Sequence, residues 1–375
     1  MASNNLPSIT VSDFCKIVKM QFEEKNFRPI FGLGKGGIGK TESIMDLAQK
    51  ELKIGYIDVR LLLYSETDLK GIPYPNAEHN KTIWLQNDIL PNEERDGKEG
   101  ILVFDEITSC ARSVRTAAYQ LLNERRLGEY VLPEGWMIVC LGNGEEDGGD
   151  YNGMEGNFVN RCSVFNVVPD LDSWKDWALM NGTNELVIGY INFKPSDLHS
   201  FEPDSSTEML FASPRSWKAV SDIMNRYGFN ENDRILEARI VANLGQRVGQ
   251  QFLAFCKYKK DTIDPMEIIT GKNLGFKPNS QEIIYITIQS VTKIACDRII
   301  KETSEGGKVS VDALTYLANA LKWILSQKTE YAIMGYKDMI RYNPGVLTKI
   351  MFLPQFQQLC PELQKFSDKN EAIFR

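Results

Sequence analysis

The sequence has few of the residues that build zinc sites and disulfide frameworks. It contains two histidines in 375 residues, and its seven cysteines are odd in number and scattered. No two of those cysteines are spaced as C-x-x-C. A zinc site is therefore not expected, and this cysteine usage is typical of a reduced, cytoplasmic protein.

Long apolar runs and an excess of positive charge are also missing. No run approaches the ~20 apolar residues that cross a bilayer, and the polar start MASNNLPSIT lacks the apolar centre of a signal peptide. We therefore expect no membrane span. The net charge of −7 argues against a broad nucleic-acid surface. The length predicts two or three soluble domains.

What the sequence does contain is a phosphate-binding loop, GKGGIGKT at residues 34–41, which matches the pattern G-x-x-x-x-G-K-[ST]. Its glycines allow backbone N–H groups to approach phosphate oxygens, Lys40 reaches the β- and γ-phosphates, and Thr41 offers its hydroxyl to Mg²⁺. We expect the following residues to contact ATP: Gly34, Lys35, Gly36, Gly37, Ile38, Gly39, Lys40, Thr41 and Glu42.

The loop lies in the setting that the pattern requires, between a short apolar strand (28–33) and a helix (41–52). Further short apolar segments predict four more buried strands, near 53–62, 101–104, 136–142 and 163–168. Runs that are apolar on both faces suit a parallel sheet covered by helices, here 41–52 and 109–125. The fold class is therefore α/β with a five-stranded parallel sheet.

The chain reads as helical after Pro169. Residues 281–302 have a helical period, and 311–325 place leucines on one face behind a Ser310 that can cap the helix. The predicted domains are an N-terminal helix, an α/β nucleotide-binding domain, a helical lid and a helical C-terminal extension, over residues 1–27, 28–170, 171–260 and 261–375.

Asp105 and Glu106 end the apolar strand ILVFDEI and are predicted to form the second half of the site. The first carboxylate suits Mg²⁺ coordination and the second suits activation of the attacking water. The string KGGIGKT also resembles the ParA/MinD group of ATPases, which has an extra lysine where Lys35 stands. That group does not place a glutamate after the aspartate, so the AAA+ class fits better.

Three more polar residues follow in order: Asn143 after a strand, Arg161 before the last strand, and Arg215 at the start of a helix. With the loop and Asp105, they resemble the Walker A, Walker B, sensor 1, arginine finger and sensor 2 elements of an AAA+ ATPase. The resemblance implies catalytic roles for Glu106, Asn143, Arg161 and Arg215. Arg125 and Arg126 are alternatives for the finger.

Within AAA+, the chain resembles the MoxR family over roughly residues 28–227. The phrases that carry the resemblance are DLKGIPYP (68–75), AAYQLLNERRLGEYVLPEGWMIVCLGN (117–143), NRCSVFNV (160–167) and SPRSW (213–217). It implies a β-hairpin in RRLGEYVLPEGW, an insert around 63–90, and ATP bound between the subunits of a homo-oligomeric, hexameric ring. It also implies a protein client or a partner with a von Willebrand factor A domain.

Two other functions remain open at this point. A ParA-like switch would dimerise around ATP and would not need Arg161. A nucleic-acid motor would need a basic surface, which the acidic total disfavours. The acidic segment 144–156, which contains Glu145, Glu146, Asp147 and Asp150, is interpreted as a solvated loop rather than a metal site.

Overall fold

The computed structural model describes residues 6–76, 81–144, 160–201, 210–304 and 309–370. The acidic carboxylates predicted within 144–156 therefore lie outside the described residues. The chain divides into two compact units, residues 1–170 and 171–375, and each is described by itself.

The first unit is built on one parallel sheet. Its strands are β1 (Ser8–Thr10), β2 (Ile30–Leu33), β3 (Gly55–Arg60), β6 (Glu99–Asp105), β9 (Gly135–Gly142) and β10 (Ser163–Val168). They lie in the order β1-β10-β2-β9-β6-β3, and every neighbouring pair is parallel. The strand before the phosphate loop, β2, is therefore interior, with β10 on one side and β9 on the other.

The sheet has six strands, so the prediction of five was wrong. The additional strand is β1, which pairs with β10 through Ser8–Asn166, Ile9–Val167 and Thr10–Val168. β1 was not predicted because its three residues contain one large apolar side chain and therefore no apolar run. They form a strand only because they pair with β10. The predicted parallel α/β class is confirmed.

Helices cover both faces of the sheet because alternate residues of each strand point to opposite sides. Ile101 and Val103 of β6 pack with α1 (Val11–Glu23) and α2 (Lys40–Asp46), and α2 continues as a π-helical turn over Leu47–Leu52. Leu102 and Phe104 of the same strand pack with α5 (Arg112–Glu124) on the other face. The apolar character of β6 on both faces follows from this double covering.

Among the residues of this unit that the structure describes, two antiparallel hairpins and two short helices are inserted between these elements. The first hairpin pairs β4 (Ile72–Asn76) with β5 (Lys81–Leu85), and the second pairs β7 (Arg126–Leu127) with β8 (Tyr130–Val131). The second is the β-hairpin expected in RRLGEYVLPEGW. The short helices are α3 (Glu66–Lys70) and α4 (Glu93–Asp96), and a 3₁₀ turn covers Leu61–Leu63.

The described part of the second unit is helical. Its helices are α6 (Leu171–Met180), α7 (Glu185–Phe193), α8 (Pro214–Tyr227), α9 (Arg234–Leu244), α10 (Gln246–Lys257), α11 (Pro265–Ile269), α12 (Gln281–Ser304), α13 (Val311–Leu325), α14 (Thr329–Arg341), α15 (Pro344–Met351), α16 (Pro354–Leu359) and α17 (Pro361–Lys369). Short 3₁₀ turns cover Pro195–Leu198 and Tyr258–Asp261.

Two of these helices confirm predictions from periodicity. The long apolar segment from residue 281 is the helix α12, and α13 begins behind Ser310, whose hydroxyl accepts a hydrogen bond from Ala313 N at 3.1 Å. One continuous apolar core runs from Trp174 in α6 to Phe356 in α16. Over the part of the chain that is described, no helix combines the length and apolarity needed to span a membrane.

Candidate nucleotide site

The phosphate loop occupies residues 34–39, between the carboxyl end of β2 and the start of α2. A Cβ on Gly34 would lie 2.1 Å from the carbonyl oxygen of Val167 in β10, so only glycine fits there. Gly39, which caps α2, has φ +92°, a left-handed conformation that side chains disfavour. The loop therefore has a fixed shape that ends at a helix N-terminus, where backbone N–H groups and the helix dipole favour anions.

The Lys40 side chain folds back over this loop. Its ammonium group donates hydrogen bonds to the carbonyl oxygens of Gly34 and Lys35, the latter at 2.9 Å. Only 8% of the residue is exposed. The cation is therefore held at the mouth of the loop, where a bound phosphate would meet it.

The remaining loop residues contribute in different ways. Lys35 is half-buried, while Gly36 is exposed and Gly37 has φ +77°. The Ile38 side chain is buried in the core beneath α2, so only its backbone is available to a ligand. Glu42 is exposed on the first turn of α2.

The structure brings Thr41 and Asp105 together, although 64 residues separate them. The Thr41 hydroxyl donates to Asp105 Oδ2 at 2.8 Å, and Asp105 Oδ1 accepts from the backbone N–H of Glu106 at 2.8 Å. A hydroxyl and a carboxylate oxygen at this separation are the hard donors that Mg²⁺ prefers. The described residues hold no group of three or more His, Cys, Asp or Glu side chains placed to bind a metal. Two protein ligands suit Mg²⁺, which takes its other ligands from phosphates and water.

Glu106 follows Asp105 directly and has an unusual backbone conformation. Its φ of +56° lies in the left-handed region, which non-glycine residues adopt at a cost on the order of 1–3 kcal/mol. Its carbonyl accepts a hydrogen bond from Ser109 N at 3.0 Å, which closes the turn. Such strain persists where the surrounding structure enforces it, and it is concentrated at functional sites.

Asn143 follows the carboxyl end of β9 and lies beside the phosphate loop. A Cβ on Gly36 would be 3.9 Å from Asn143 Oδ1. The backbone N–H of Asn143 donates to the Thr108 hydroxyl oxygen at 3.1 Å, and Thr108 is completely buried. Thr108, which sequence reasoning missed, thus connects the turn after Glu106 to Asn143. Its only sequence signal is that it stands two residues after Glu106.

Two residues on β3 also contribute to the site and were missed. The Tyr56 hydroxyl donates to the Thr41 carbonyl oxygen at 3.5 Å. Burial, and then the Asp105 carboxylate, raise the pKa of Asp58, against the opposing effect of Arg60. This part of the site is therefore rich in negative charge, which favours a bound cation. The signal was the alternation in GYIDVR, which puts Tyr56 and Asp58 on one face of the strand.

Arg161 lies near the amino ends of the parallel strands, whereas the phosphate loop lies at their carboxyl ends. It precedes β10, whose Ser163 pairs with Ile30 at the amino end of the parallel strand β2. The loop follows the carboxyl end of β2, so the length of this strand, roughly 13 Å, separates the two features. Arg161 is exposed, and within the described residues its guanidinium makes no hydrogen bond or ion pair.

The two alternative arginines lie near those same amino ends but differ in their contacts. Arg125 donates to the carbonyl oxygens of Pro133 and Trp136, each at 2.8 Å, and lies 5.5 Å from the centre of the Phe27 ring. Burial lowers the pKa of Arg125. Its side chain is thus engaged within its own chain, whereas Arg126 is exposed at the start of β7.

Arg215 belongs to the second unit. It is exposed in the first turn of α8, just after the Ser213 cap, which accepts a hydrogen bond from Ser216 N at 3.3 Å. Its predicted role as sensor 2 stays a prediction.

No family model and no curated protein matches this chain. Among solved structures, it is similar to a putative ATPase from Cytophaga hutchinsonii, with 13% identity and a TM-score of 0.33, over 95% of this chain and 90% of the other. It is also similar to Hsp104 in a closed state with ATPγS and FITC casein, with 16% identity and a TM-score of 0.36. That likeness covers 66% of this chain and 46% of the Hsp104 chain. Both TM-scores are below 0.5, so neither likeness indicates a function for this chain.

Proposed function

We propose that this chain is an ATPase of the AAA+ class and of MoxR type. The observation that carries the proposal is the contact between the Thr41 hydroxyl and Asp105, next to a phosphate loop that is crossed by Lys40. The loop N–H groups and Lys40 would bind the phosphates, and Thr41 and Asp105 would hold Mg²⁺. A magnesium ion held there would supply positive charge that offsets the negative charge of the phosphates.

The proposed hydrolytic step divides between two side chains. Glu106 takes a proton from the attacking water, and the Asn143 amide orients that water beside the γ-phosphate. The left-handed turn at Glu106 and the position of Asn143 beside Gly36 support this pair. A glutamate directly after Asp105 also favours the AAA+ class over the ParA/MinD group.

The position of Arg161 supports action on another copy of the chain. An arginine finger contributes on the order of 10³–10⁵ in rate in the GTPases. Because β2 separates Arg161 from its own phosphate loop, we assign it to the nucleotide of an adjoining subunit. We therefore infer that the chain forms a homo-oligomeric ring in the cytoplasm, and the family resemblance implies that the ring is a hexamer. The ring would remodel a protein client or a partner with a von Willebrand factor A domain.

The variant Glu106→Gln tests the proposal. We expect it to bind ATP with wild-type affinity and to lose about 10²–10⁴ in turnover, the contribution of general-base catalysis. With Mg²⁺ and ATP it should also assemble to six times the 42.6 kDa chain mass, measured by native mass spectrometry. Turnover at the wild-type rate would remove Glu106 from the mechanism, and a dimer would favour the ParA-like switch.

A further inference from the structure

The Arg28 guanidinium contacts the backbone on both sides of Arg161. Arg28 lies two residues before β2, and its Nη2 donates to the carbonyl oxygen of Asn160 at 2.9 Å. The same nitrogen lies 3.4 Å from the carbonyl oxygen of Cys162 and donates to it. One nitrogen therefore bridges the residues before and after Arg161.

The rest of this turn is fixed from the same side. The Ser163 N–H donates to the Pro29 carbonyl oxygen at 2.9 Å, which starts the pairing of β10 with β2. The Cys162 side chain is buried, with 5% exposed, whereas the Arg161 side chain is exposed. The backbone is thus held against the sheet on either side of a side chain that projects to the surface.

We propose that Arg28 is a positioning residue for Arg161. By holding the carbonyls of residues 160 and 162, it fixes the backbone from which Arg161 reaches the nucleotide of an adjoining subunit. This inference rests on the role proposed for Arg161. A finger acts through accurate placement, and a misplacement of about 1 Å costs on the order of 10²-fold in rate.

A double-mutant cycle in the full-length chain tests the inference. The variants are Arg28→Met, Arg161→Ala and the two combined. Lys98→Met is the matched control, since it removes an exposed cation just before β6, likewise near the amino ends of the strands. For each we would measure kcat for ATP, the Kd of a fluorescent ATP analogue and the unfolding midpoint.

We expect Arg28→Met to lower kcat about tenfold to a hundredfold, with the Kd for nucleotide and the unfolding midpoint close to wild type. In the Arg161→Ala background the same change should have no further effect, because Arg28 acts only through Arg161. Arg28→Lys keeps a cationic nitrogen that can donate to these carbonyls and should restore part of the rate. Lys98→Met should behave as wild type.

Losses that multiply in the double variant would overturn the inference, as would wild-type turnover in Arg28→Met. If Arg161→Ala turns over normally while Glu106→Gln does not, both Arg161 and Arg28 lose their roles but the proposed ATPase stands.

A spectroscopic readout tests the positioning itself without depending on turnover. A nitroxide would be attached at Arg161→Cys in a chain that also carries Cys15→Ser, because Cys15 is the described cysteine that is not buried. We expect an immobilised spectrum that becomes mobile with Arg28→Met. Equal mobility with and without Arg28 would overturn the inference even if the chain proved to have no ATPase activity.

Discussion

Thr108→Val isolates one hydrogen bond that connects the turn after Glu106 to Asn143, the two segments proposed to act in hydrolysis. In the native chain the Thr108 hydroxyl oxygen accepts from the Asn143 N–H at 3.1 Å, and the Thr108 methyl group packs where Gly142 leaves room. Valine has the same shape and keeps that packing, but it has no acceptor. The substitution therefore leaves the core filled and the N–H of Asn143 without its partner.

The magnitude follows from the cost of an unsatisfied donor. Removing one partner of a buried hydrogen bond costs about 1–3 kcal/mol. Asn143 is half-buried and water can reach part of its surroundings, so we take the lower part of that range. The lost hydrogen bond weakens the placement of Asn143 by this amount, and when the whole of it reaches the transition state each 1.36 kcal/mol is a factor of ten in rate, so we expect kcat to fall by up to about tenfold. Nucleotide affinity should change little, because Lys40 and the loop are untouched.

The assay is steady-state ATP turnover with a parallel measurement of ATP binding. Thr108→Ser is the matched control, since it keeps the hydroxyl and loses only the methyl group. We expect the serine variant to retain most of its turnover although it loses some stability. If the valine variant keeps wild-type kcat, or if the serine variant loses as much as valine does, the hydrogen bond from Thr108 does not position Asn143 for turnover.

Two further predictions concern buried charges in the second unit. Asp338, completely buried, pairs with Lys175 and accepts from Gln289 at 2.8 Å, so Asp338→Ala should cost about 3–5 kcal/mol in urea unfolding. Combining Asp338→Leu with Lys175→Met should recover most of the lost free energy of unfolding. A loss below about 1 kcal/mol in Asp338→Ala would contradict the pairing. Burial alone would raise the pKa of Glu185, but Lys293 at 2.9 Å helps hold it below its usual value. The Glu185 carboxylate therefore stabilises the fold at pH values above its unfolded-state pKa, and this stabilisation is lost as pH falls through its folded-state pKa. Glu185→Gln should cost about 1–3 kcal/mol at pH 7 and progressively less as pH falls from the unfolded-state pKa of about 4.3 through the lower folded-state pKa, and a pH-independent difference would refute this.

Local patterns predicted local structure well. The string GKGGIGKT indicated the loop and the start of α2, and the period of residues 311–325 with Ser310 indicated a capped helix. Both predictions succeed because glycine torsions, side-chain capping and helical periodicity depend on residues within a few positions of each other. The strand β1 was missed for the converse reason, since its three residues become a strand only by pairing with β10.

The site shows the same division over longer distances. Asp105 and Asn143 were singled out because each follows an apolar strand in the order that resembles an AAA+ ATPase, and the structure places them at the carboxyl ends of β6 and β9. Thr108 and Asp58 were not, since their relevance depends on which side chain and which strand lie beside them. Arg125 and Arg161 could not be ranked from sequence, and the carbonyls that occupy Arg125 are distant in the chain.

The sequence by itself indicated a phosphate loop, an acidic strand end and a helical second half, because each of these features depends on residues that are close together in the chain. Only the tertiary structure decided that Thr41 touches Asp105 and that Arg161 stands near the amino ends of the strands. Both facts come from strand order and register, which long-range pairing and packing of the whole chain select and which no short segment encodes.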